Sequence, residues 1–234
     1  MEITINYNFK KYNESDIRTR LLNIILKNLK VLKVISNIYI HESGKGKLDS
    51  TILERIIKQS VRAGYININE ANEFKNLWIK IDDEKIGDVL EQLIANLGPY
   101  ESLNDFDKSM EVKVFETKMD NNFDVVFFDK SFSCNCKTGN NIKIQGDNEF
   151  HECKKNVCTY IPININSSLK DKVKRKLEFI KCTYDLQEKG RFYIPTFFPE
   201  VEQQREFLKE YKAGIYKFID ILSIEDIYSR YSRI

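Results

Sequence analysis

Apolar residues recur at helical spacing through most of the first 80 positions. A short alternation of apolar and polar residues over positions 3–9 predicts a strand before them. From Ser15 and Asp16, residue types that favour helix starts, apolar residues follow every three or four positions as far as Ile35. This pattern predicts one long amphipathic helix, whose basic residues face either DNA or solvent.

Two further helices are predicted in this region. Thr51 and Glu54 stand at the spacing of a capping box, and Gly64 marks the end of the apolar stripe that follows them. A third, shorter helix is predicted around Trp78. Residues 1–80 are thus predicted to form a small, mainly helical unit. Two helices joined by a short turn are compatible with a helix-turn-helix DNA-binding unit or with an oligomerisation unit. The spacing of the residues does not distinguish these two interpretations.

A helix with acids in its first turn opens the second part of the chain, residues 81–234. Its apolar positions recur at helical spacing from Ile86 to Leu97, and Glu91 lies on the flank of that apolar face rather than at its centre. The flank position lets a carboxylate reach an adjoining cleft while the helix stays packed.

Strands follow in the middle of this second part. Residues 111–117 and 123–129 are predicted to pair as a hairpin, because an Asn-rich turn separates them. The second of these strands carries a near-continuous apolar run, as expected for a central strand that is covered on both faces. One more short strand is predicted over residues 142–144, and a further strand is predicted to include residues 150–156.

Helices and strands alternate from there to the end of the chain. A basic helix is predicted from Ser167, followed by a strand over residues 191–198, a helix over residues 200–217 and a strand over residues 218–223. Ser223 is the predicted cap of a terminal helical turn. The order describes a mixed sheet flanked by helices, which is an α/β class of fold in the broad sense (an α+β arrangement with a mixed sheet).

Three acids and a lysine stand at points of this order where they could do chemistry. Asp124 is at the start of the apolar strand, where a carboxylate is costly to bury unless it is paired or binds a cation. Glu152 and Lys154 are two residues apart in a predicted strand, so their side chains emerge on one face. Together with Glu91, they make a candidate site for a divalent cation and an activated water.

This arrangement resembles the PD-(D/E)XK nuclease superfamily, which has the restriction-endonuclease-like fold. The resemblance covers residues 83–228, whereas residues 1–80 carry none. Phe123 stands where the motif has Pro, and more residues than usual separate Asp124 from Glu152. The residues that carry the resemblance are 87–94 on the first helix (Gly-Asp-Val-Leu-Glu-Gln-Leu-Ile), 123–126 on the second strand (Phe-Asp-Val-Val) and 152–154 on the third (Glu-Cys-Lys).

The resemblance implies a metal-dependent nuclease site. Asp124 and Glu152 are expected to ligate Mg²⁺ or Mn²⁺. The carbonyl of Cys153 is expected as a further ligand, and Glu91 is expected to complete the metal shell directly or through water. Lys154 is expected to orient or deprotonate the attacking water and to stabilise the charge of the transition state. These roles suit phosphodiester hydrolysis, because an anionic ester resists attack by a nucleophile that is not activated.

The expected function is Mg²⁺- or Mn²⁺-dependent endonucleolytic cleavage of DNA in a restriction, defence or mobile-element setting, and RNA stays open as a substrate. Because each site of such an endonuclease cuts one strand, a homodimer or a subunit of a defence complex is expected. The first rival interpretation is a non-catalytic module of the same fold that binds nucleic acid or mediates oligomerisation.

The charge composition is compatible with both interpretations. Lys and Arg total 37 against 35 Asp and Glu, a net charge of +2, which neither requires nor excludes a nucleic-acid partner. Lys155, Lys170, Lys174 and Arg175 follow the candidate site in sequence. They line either a groove that contacts phosphates or the solvated face of a helix.

The cysteines bear on compartment and on metal content. Five cysteines without a secretory pattern favour a cytoplasmic protein with reduced thiols, and lysines interrupt the most hydrophobic stretch, so no membrane span is expected. Cys134, Cys136, Cys153 and Cys158, with His151, could hold a structural Zn²⁺, although neither spacing is the usual knuckle. Burial as small apolar side chains is the simpler interpretation. The second rival is therefore a zinc-stabilised nucleic-acid-binding protein.

Overall fold

The described residues of the N-terminal part are mainly helical, and those between residues 106 and 160 are strands. Within the described ranges the chain forms seven helices and ten strands, which confirms the mixed class of fold. None of these helices is both long and apolar enough to cross a membrane. The computed structural model describes residues 2–6, 12–42, 48–98, 106–109, 111–114, 122–123, 125–129, 137–138, 141–145, 157–160, 191–211 and 219–232.

The first predicted helix is two helices, α1 (Ile17–Lys27) and α2 (Val31–Glu42). The single-helix prediction was wrong because the backbone of Asn28 is extended, with φ −150° and ψ 97°. The side chain of Asn28 supports this break, since its amide donates to the carbonyl of Tyr65 at 3.1 Å and its oxygen accepts from the backbone of Lys30 at 3.1 Å. A polar side chain that bonds to local backbone competes with the helix in this way.

Three more helices follow: α3 (Ser50–Arg62), α4 (Ile68–Lys80) and α5 (Asp83–Leu97). The predicted capping box at Thr51 and Glu54 was wrong, because Asp49 is the cap of α3 and accepts from the backbone N–H of Thr51 at 2.7 Å.

Gly64 follows α3 with φ +71°, a backbone conformation that an L side chain rarely adopts, which confirms it as the end of that helix.

The predicted hairpin exists with different bounds and joins two sheets. Strand β2 (Phe106–Ser109) pairs antiparallel with β5 (Val125–Asp129). Strand β3 (Glu111–Val114) pairs antiparallel with β4 (Asn122–Phe123). The pairing register continues from one ladder to the other, so the two arms form one hairpin. One part of this hairpin belongs to one sheet, and the other part belongs to the second sheet. The second arm changes sheets between Phe123 and Val125, at the position of Asp124 in the chain.

The first sheet is antiparallel throughout and has the strand order β4-β3-β1-β7-β6. Its central strand, β1 (Glu2–Asn6), confirms the strand predicted at the start of the chain. β1 pairs with β3 and with β7 (Asn141–Gln145), and β7 confirms the short extra strand predicted over residues 142–144. β6 (Lys137–Thr138) closes the other edge.

The second sheet has the order β10-β9-β8-β5-β2 and mixes both directions of pairing. β8 (Val157–Tyr160) pairs antiparallel with β5 and parallel with β9 (Arg191–Pro195). β9 in turn pairs parallel with β10 (Ile219–Leu222). The last two strands confirm the strands predicted over residues 191–198 and 218–223, with shorter bounds.

Two helices belong to the C-terminal part, α6 (Glu202–Tyr211) and α7 (Ile224–Tyr231). The predicted terminal turn is thus a helix of eight residues. Its start is a capping box, in which the backbone of Asp226 donates to the hydroxyl of Ser223 and the Asp226 carboxylate accepts from the Ser223 backbone at 2.8 Å.

One hydrophobic core extends across residue 80. α1 packs against α5, and α2 packs against α7. Tyr39 of α2 contacts Trp78 of α4 and Phe198, which follows β9, with ring centroids 6.2 and 4.8 Å apart. At the far end of the core, the buried hydroxyl of Tyr231 donates to the carbonyl of Gly98 at 2.6 Å. The division into residues 1–80 and 81–234 stays a prediction, because contacts across it do not test whether either part folds alone.

Two alanine substitutions at glycine are expected to have opposite effects. Gly64→Ala should lower the free energy of unfolding by about 1–2 kcal/mol, because φ is positive there while no atom lies within 4 Å of an added Cβ. Gly87→Ala should raise it by about 0.5–1 kcal/mol, because Gly87 lies inside α5 and also has open space around it. Urea unfolding of both variants measures the difference, and equal shifts for the two would contradict the assigned backbone conformations.

Candidate functional site

The flank of α5 meets the residues around the start of α1 in a polar cluster. The guanidinium of Arg18 bridges the two helices, since one terminal nitrogen bonds Asp88 at 2.8 Å and the other bonds Asp16 at 2.8 Å. Asp16 is also the N-cap of α1, where it accepts from the backbone N–H of Arg18 at 2.9 Å. One arginine therefore ties the start of α1 to the first turns of α5.

Tyr12 completes this cluster from the segment before α1. Its hydroxyl donates to Oδ2 of Asp88 at 2.9 Å, and the guanidinium carbon of Arg18 lies 3.3 Å from the centroid of its ring. A guanidinium stacked on an aromatic face is a favourable arrangement. We name Tyr12, Asp16, Arg18, Asp88 and Glu91 the α1–α5 cluster; hydrogen bonds and one stacking contact join the first four, and Glu91 acts electrostatically on Tyr12.

The cluster is acidic and keeps its phenol neutral. Burial, the hydrogen bond to Asp88 and the nearby negative charges of Asp88 and Glu91 together raise the pKa of Tyr12 to about 12, against the opposing effect of Arg18. Tyr12 is therefore a hydrogen-bond donor at neutral pH. Asp16 and Asp88 both bond the guanidinium of Arg18, and the negative charge of Glu91 acts on Tyr12, so carboxylates outnumber the one cation of the cluster.

Glu91 is placed by the helical repeat of α5. Val89 and Leu90 point into the core, and Asp88 and Glu91, three residues apart, share the flank of the helix. Glu91 is partly buried and close enough to act electrostatically on Tyr12. This confirms the flank position that the sequence predicts for Glu91. The metal-binding role of Glu91 stays a prediction.

The other predicted site residues lie outside the described residues. Among them, Asp124 directly precedes Val125, which is fully buried in the same core as Val89 and Leu93 of α5. The start of β5 is therefore next to the helix that carries Glu91. The predicted residues outside the described ranges are Asp124, Glu152, Cys153, Lys154, Lys155, Lys170, Lys174 and Arg175.

The register of β5 and β8 sets a condition on a shared site. Val125 pairs with Tyr160, and Phe128 pairs with Val157. In the chain, Asp124 precedes Val125 at one end of this strand pair, whereas the segment that carries Glu152 and Lys154 leads to Val157 at the other end. The two ends are about 10 Å apart at the usual rise per residue. Glu152 is five residues before Val157, a length of chain that reaches about 17 Å. A shared site thus requires that segment to run back beside β8 rather than to extend it.

Metal ligands do not gather within the described part of the chain. No group of three or more His, Cys, Asp or Glu side chains that could hold a metal ion occurs there. The carboxylate of Asp88 accepts hydrogen bonds from Arg18 and Tyr12. Of the proposed zinc ligands, Cys158 lies in β8 opposite Phe127, whereas Cys134, Cys136, His151 and Cys153 lie outside the described residues.

Sequence reasoning missed four members of the cluster. Asp88 stands one turn before Glu91 and shares its flank, a spacing that could have flagged it. Asp16 was identified only as a helix start. Tyr12 and Arg18 are 76 and 70 positions away from Asp88, and no local pattern reports so distant a contact.

The bridge predicts how stability depends on acid. The hydrogen bonds from Arg18 lower the pKa of Asp16 from 3.8 to about 2. A carboxylate whose pKa is lower in the folded state stabilises that state above pH 3.8 and loses this contribution as the pH falls towards 2. Urea unfolding between pH 5 and pH 2 should therefore show a smaller loss of stability for Asp16→Asn, which keeps a capping side chain, than for the wild type.

Asp83→Asn, which removes an exposed carboxylate outside the cluster, is the matched charge control. The same acid dependence in the wild type and in Asp16→Asn would show that the Arg18 bridge does not form in solution.

Comparison with known proteins gives no family for the chain. No protein-family model, no curated protein and no solved structure matches it. Its function is therefore argued from its own residues.

Proposed function

We propose that this protein is a metal-dependent nuclease that hydrolyses phosphodiester bonds of DNA. The site would lie between the Glu91 flank of α5 and the start of β5. The second sheet would be the core of a restriction-endonuclease-like domain, and residues 1–80 would be an accessory unit packed on it.

One observation carries this proposal, the order and direction of the strands that follow α5. β2, β5 and β8 pair antiparallel in chain order, β9 joins β8 parallel, and β10 joins β9 parallel. This order supports the resemblance to the PD-(D/E)XK superfamily, although the strand that the resemblance assigns to Glu152 and Lys154 lies outside the described residues. It also makes the strand that begins after Asp124 a neighbour of the helix that carries Glu91.

The side chains suit a hard divalent cation. Asp124, Glu152 and Glu91 offer carboxylate oxygens, which Mg²⁺ and Mn²⁺ prefer, and the carbonyl of Cys153 offers one more oxygen. When bound, such a cation lowers the pKa of a coordinated water and neutralises phosphate charge. Asp88 is not proposed as a ligand, because its carboxylate already accepts bonds from Arg18 and Tyr12.

The protein's own groups would supply the remaining steps. As a neutral amine, Lys154 would hold the attacking water in line with the phosphorus and accept its proton, which would leave the side chain a cation. Its charge would also offset the charge that grows on the phosphate oxygens in the transition state. The Arg18 bridge would keep α5, and with it Glu91, at a fixed position relative to α1. Holding a site on a rigid helix favours the geometry that hydrolysis needs.

The setting and the assembly extend the proposal by analogy. A duplex is cut through both strands by two sites, so we include a homodimer or a place in a larger defence complex. Restriction, antiviral defence and mobile elements are the settings that we associate with such an enzyme. RNA is the alternative substrate.

Cleavage of supercoiled plasmid and of single-stranded DNA tests the proposal. With Mg²⁺ or Mn²⁺ present, the wild type should cut, and Asp124→Asn, Glu152→Gln and Lys154→Ala should each slow cutting by at least about 100-fold, the scale seen when one preorganised group is removed from an active site. Glu91→Gln should slow it by about 10–100-fold, as for a group that supports a metal through water.

Glu84→Gln is the matched control for Glu91→Gln, because Glu84 is an exposed residue in the first turn of the same helix. It should cut like the wild type. If wild-type protein is folded but cuts neither DNA nor RNA with either cation, or if it cuts unchanged in all four site variants, the proposal is wrong.

A further inference from the structure

The outward faces of α3 and α4 form a basic and amide-rich surface away from the α1–α5 cluster. We name it the α3–α4 face, and every one of its six residues is exposed. Three are cations on α3 and three are asparagines on α4: Arg55, Lys58, Arg62, Asn69, Asn72 and Asn76.

The cations of α3 lie on one stripe. Arg55, Lys58 and Arg62 follow each other at intervals of three and four residues, so they share a side of the helix that spans about 10 Å. Lys58 is 71% exposed and lies 3.3 Å from the carboxylate of Glu54. Among the described residues, no carboxylate is within ion-pair distance of Arg55 or Arg62. Their charge is therefore available to a ligand.

A contact between the helices joins this stripe to α4. Lys75 of α4 lies 3.5 Å from the same carboxylate of Glu54. One acid is thus shared by two cations from neighbouring helices, and the balance of charge stays positive. The shared acid also fixes the orientation, because it shows that the side of α3 bearing Lys58 is turned towards the side of α4 bearing Lys75.

The stripe on α4 carries three amides, and Glu73 on the same side of the helix is paired with Arg20 of α1 at 2.7 Å. Asn69, Asn72 and Asn76 recur at intervals of three and four residues and face outwards. Beside them are two isoleucines in unusual positions, Ile68 and Ile79, which are 64% and 45% exposed. Asn has a low helix propensity, and exposed Ile gains nothing from burial, so neither residue type is accounted for by the stability of α4 itself.

Two other helix surfaces have the opposite charge. α5 begins with Asp83 and Glu84 after the cap Asp82, and α6 exposes Glu202, Glu206 and Glu210. The chain as a whole is near neutrality at +2. The positive charge of the α3–α4 face is therefore a local concentration, which is how a basic footprint for nucleic acid is arranged in a neutral protein.

The chemistry of this face matches the major groove of a DNA duplex. A DNA major groove is wide enough for a helix, an Asn side chain can bond both edge atoms of adenine, and an apolar side chain can contact the methyl group of thymine. The three asparagines span about 10 Å of helix, the length of about three base pairs. Arginines and lysines on the adjacent helix would meet the phosphates. The major groove of an RNA duplex is too narrow for this contact.

We propose that the α3–α4 face binds double-stranded DNA, with α4 in the major groove and α3 along the phosphate backbone. As the means by which a substrate duplex is held near the cleavage site, it rests on the proposed function. As a binding surface, it stands without it, because none of its residues belongs to the metal site.

Binding measured without divalent cations tests this surface separately from the chemistry. Fluorescence anisotropy of a labelled 25-base-pair DNA, in EDTA and at several salt concentrations, should give saturable binding by the full chain. In Arg55→Ala/Arg62→Ala the salt slope of log K should fall by about two, and affinity at 0.1 M salt should fall by at least about tenfold. Circular dichroism confirms that the variant is folded.

The matched control is Lys30→Ala/Lys209→Ala, which removes two exposed cations from elsewhere on the molecule. It should keep the wild-type salt slope. A second variant, Asn72→Ala/Asn76→Ala, should keep the salt slope but lose its preference among the DNA sequences of a random duplex pool. The reason is that the asparagine amides would contact base edges, whereas the cations would contact phosphates.

Four results would overturn the proposal: no binding of duplex DNA by the wild type, equal losses in the test and control variants, no loss in Arg55→Ala/Arg62→Ala, or equal affinity for duplex RNA. The two proposals fail in different ways. If binding depends on Arg55 and Arg62 but no DNA is cut, the binding surface is supported and the nuclease function is refuted. If DNA is cut and substitution of both residues has no effect, the nuclease function is supported and the binding surface is refuted.

Discussion

The bridge from Arg18 to Asp16 and Asp88 is the interaction on which the candidate site depends. It joins a helix cap in α1 to the flank of α5, and Tyr12 adds a hydrogen bond and a stacked ring to the same centre. A charge-assisted fork of this kind fixes direction as well as distance. The helix that carries Glu91 is thereby fixed on its outer side by Arg18 and on its inner side by the core.

The N-terminal helices are also held by packing against the helices next to the second sheet. α1 and α2 pack against α5 and α7, and Tyr231 closes the end of α5 through the carbonyl of Gly98. A carboxylate that belongs to a metal site gains from such an environment, because small displacements of a ligand weaken binding and slow reaction. The helical part of the chain braces α5, and we propose that its α3 and α4 also offer a surface for DNA.

Elements with strong local signals could be predicted from the sequence. The apolar stripe of α5, the alternation in β1 and the capping residues of α7 are local, and each led to the correct element. The break at Asn28 was missed because the side-chain bond that stabilises it reaches the distant carbonyl of Tyr65. The first arm of the hairpin starts earlier than the predicted residues 111–117, because composition does not reveal that the two arms cross from one sheet to another.

The candidate site likewise has some features that local sequence patterns predict and others that they do not. The flank position of Glu91 follows from helical periodicity, and the structure agrees with it. The partners of Asp88 do not follow from any local pattern, since Tyr12 and Arg18 are brought to it by the packing of α1 on α5. The register of β5 and β8 adds a further condition that no motif contains, because it separates the end of β5 next to Asp124 from the end of β8 that follows Glu152 and Lys154.

Calorimetric titration of the protein with Mg²⁺ and with Mn²⁺, in the absence of nucleic acid, measures whether a metal binds between α5 and β5. We expect saturable binding that Asp124→Asn abolishes, that Glu91→Gln weakens by about 10–100-fold and that Glu84→Gln leaves unchanged. No binding of either cation by folded wild-type protein, or the same binding in wild type and Asp124→Asn, would contradict a metal site between α5 and β5.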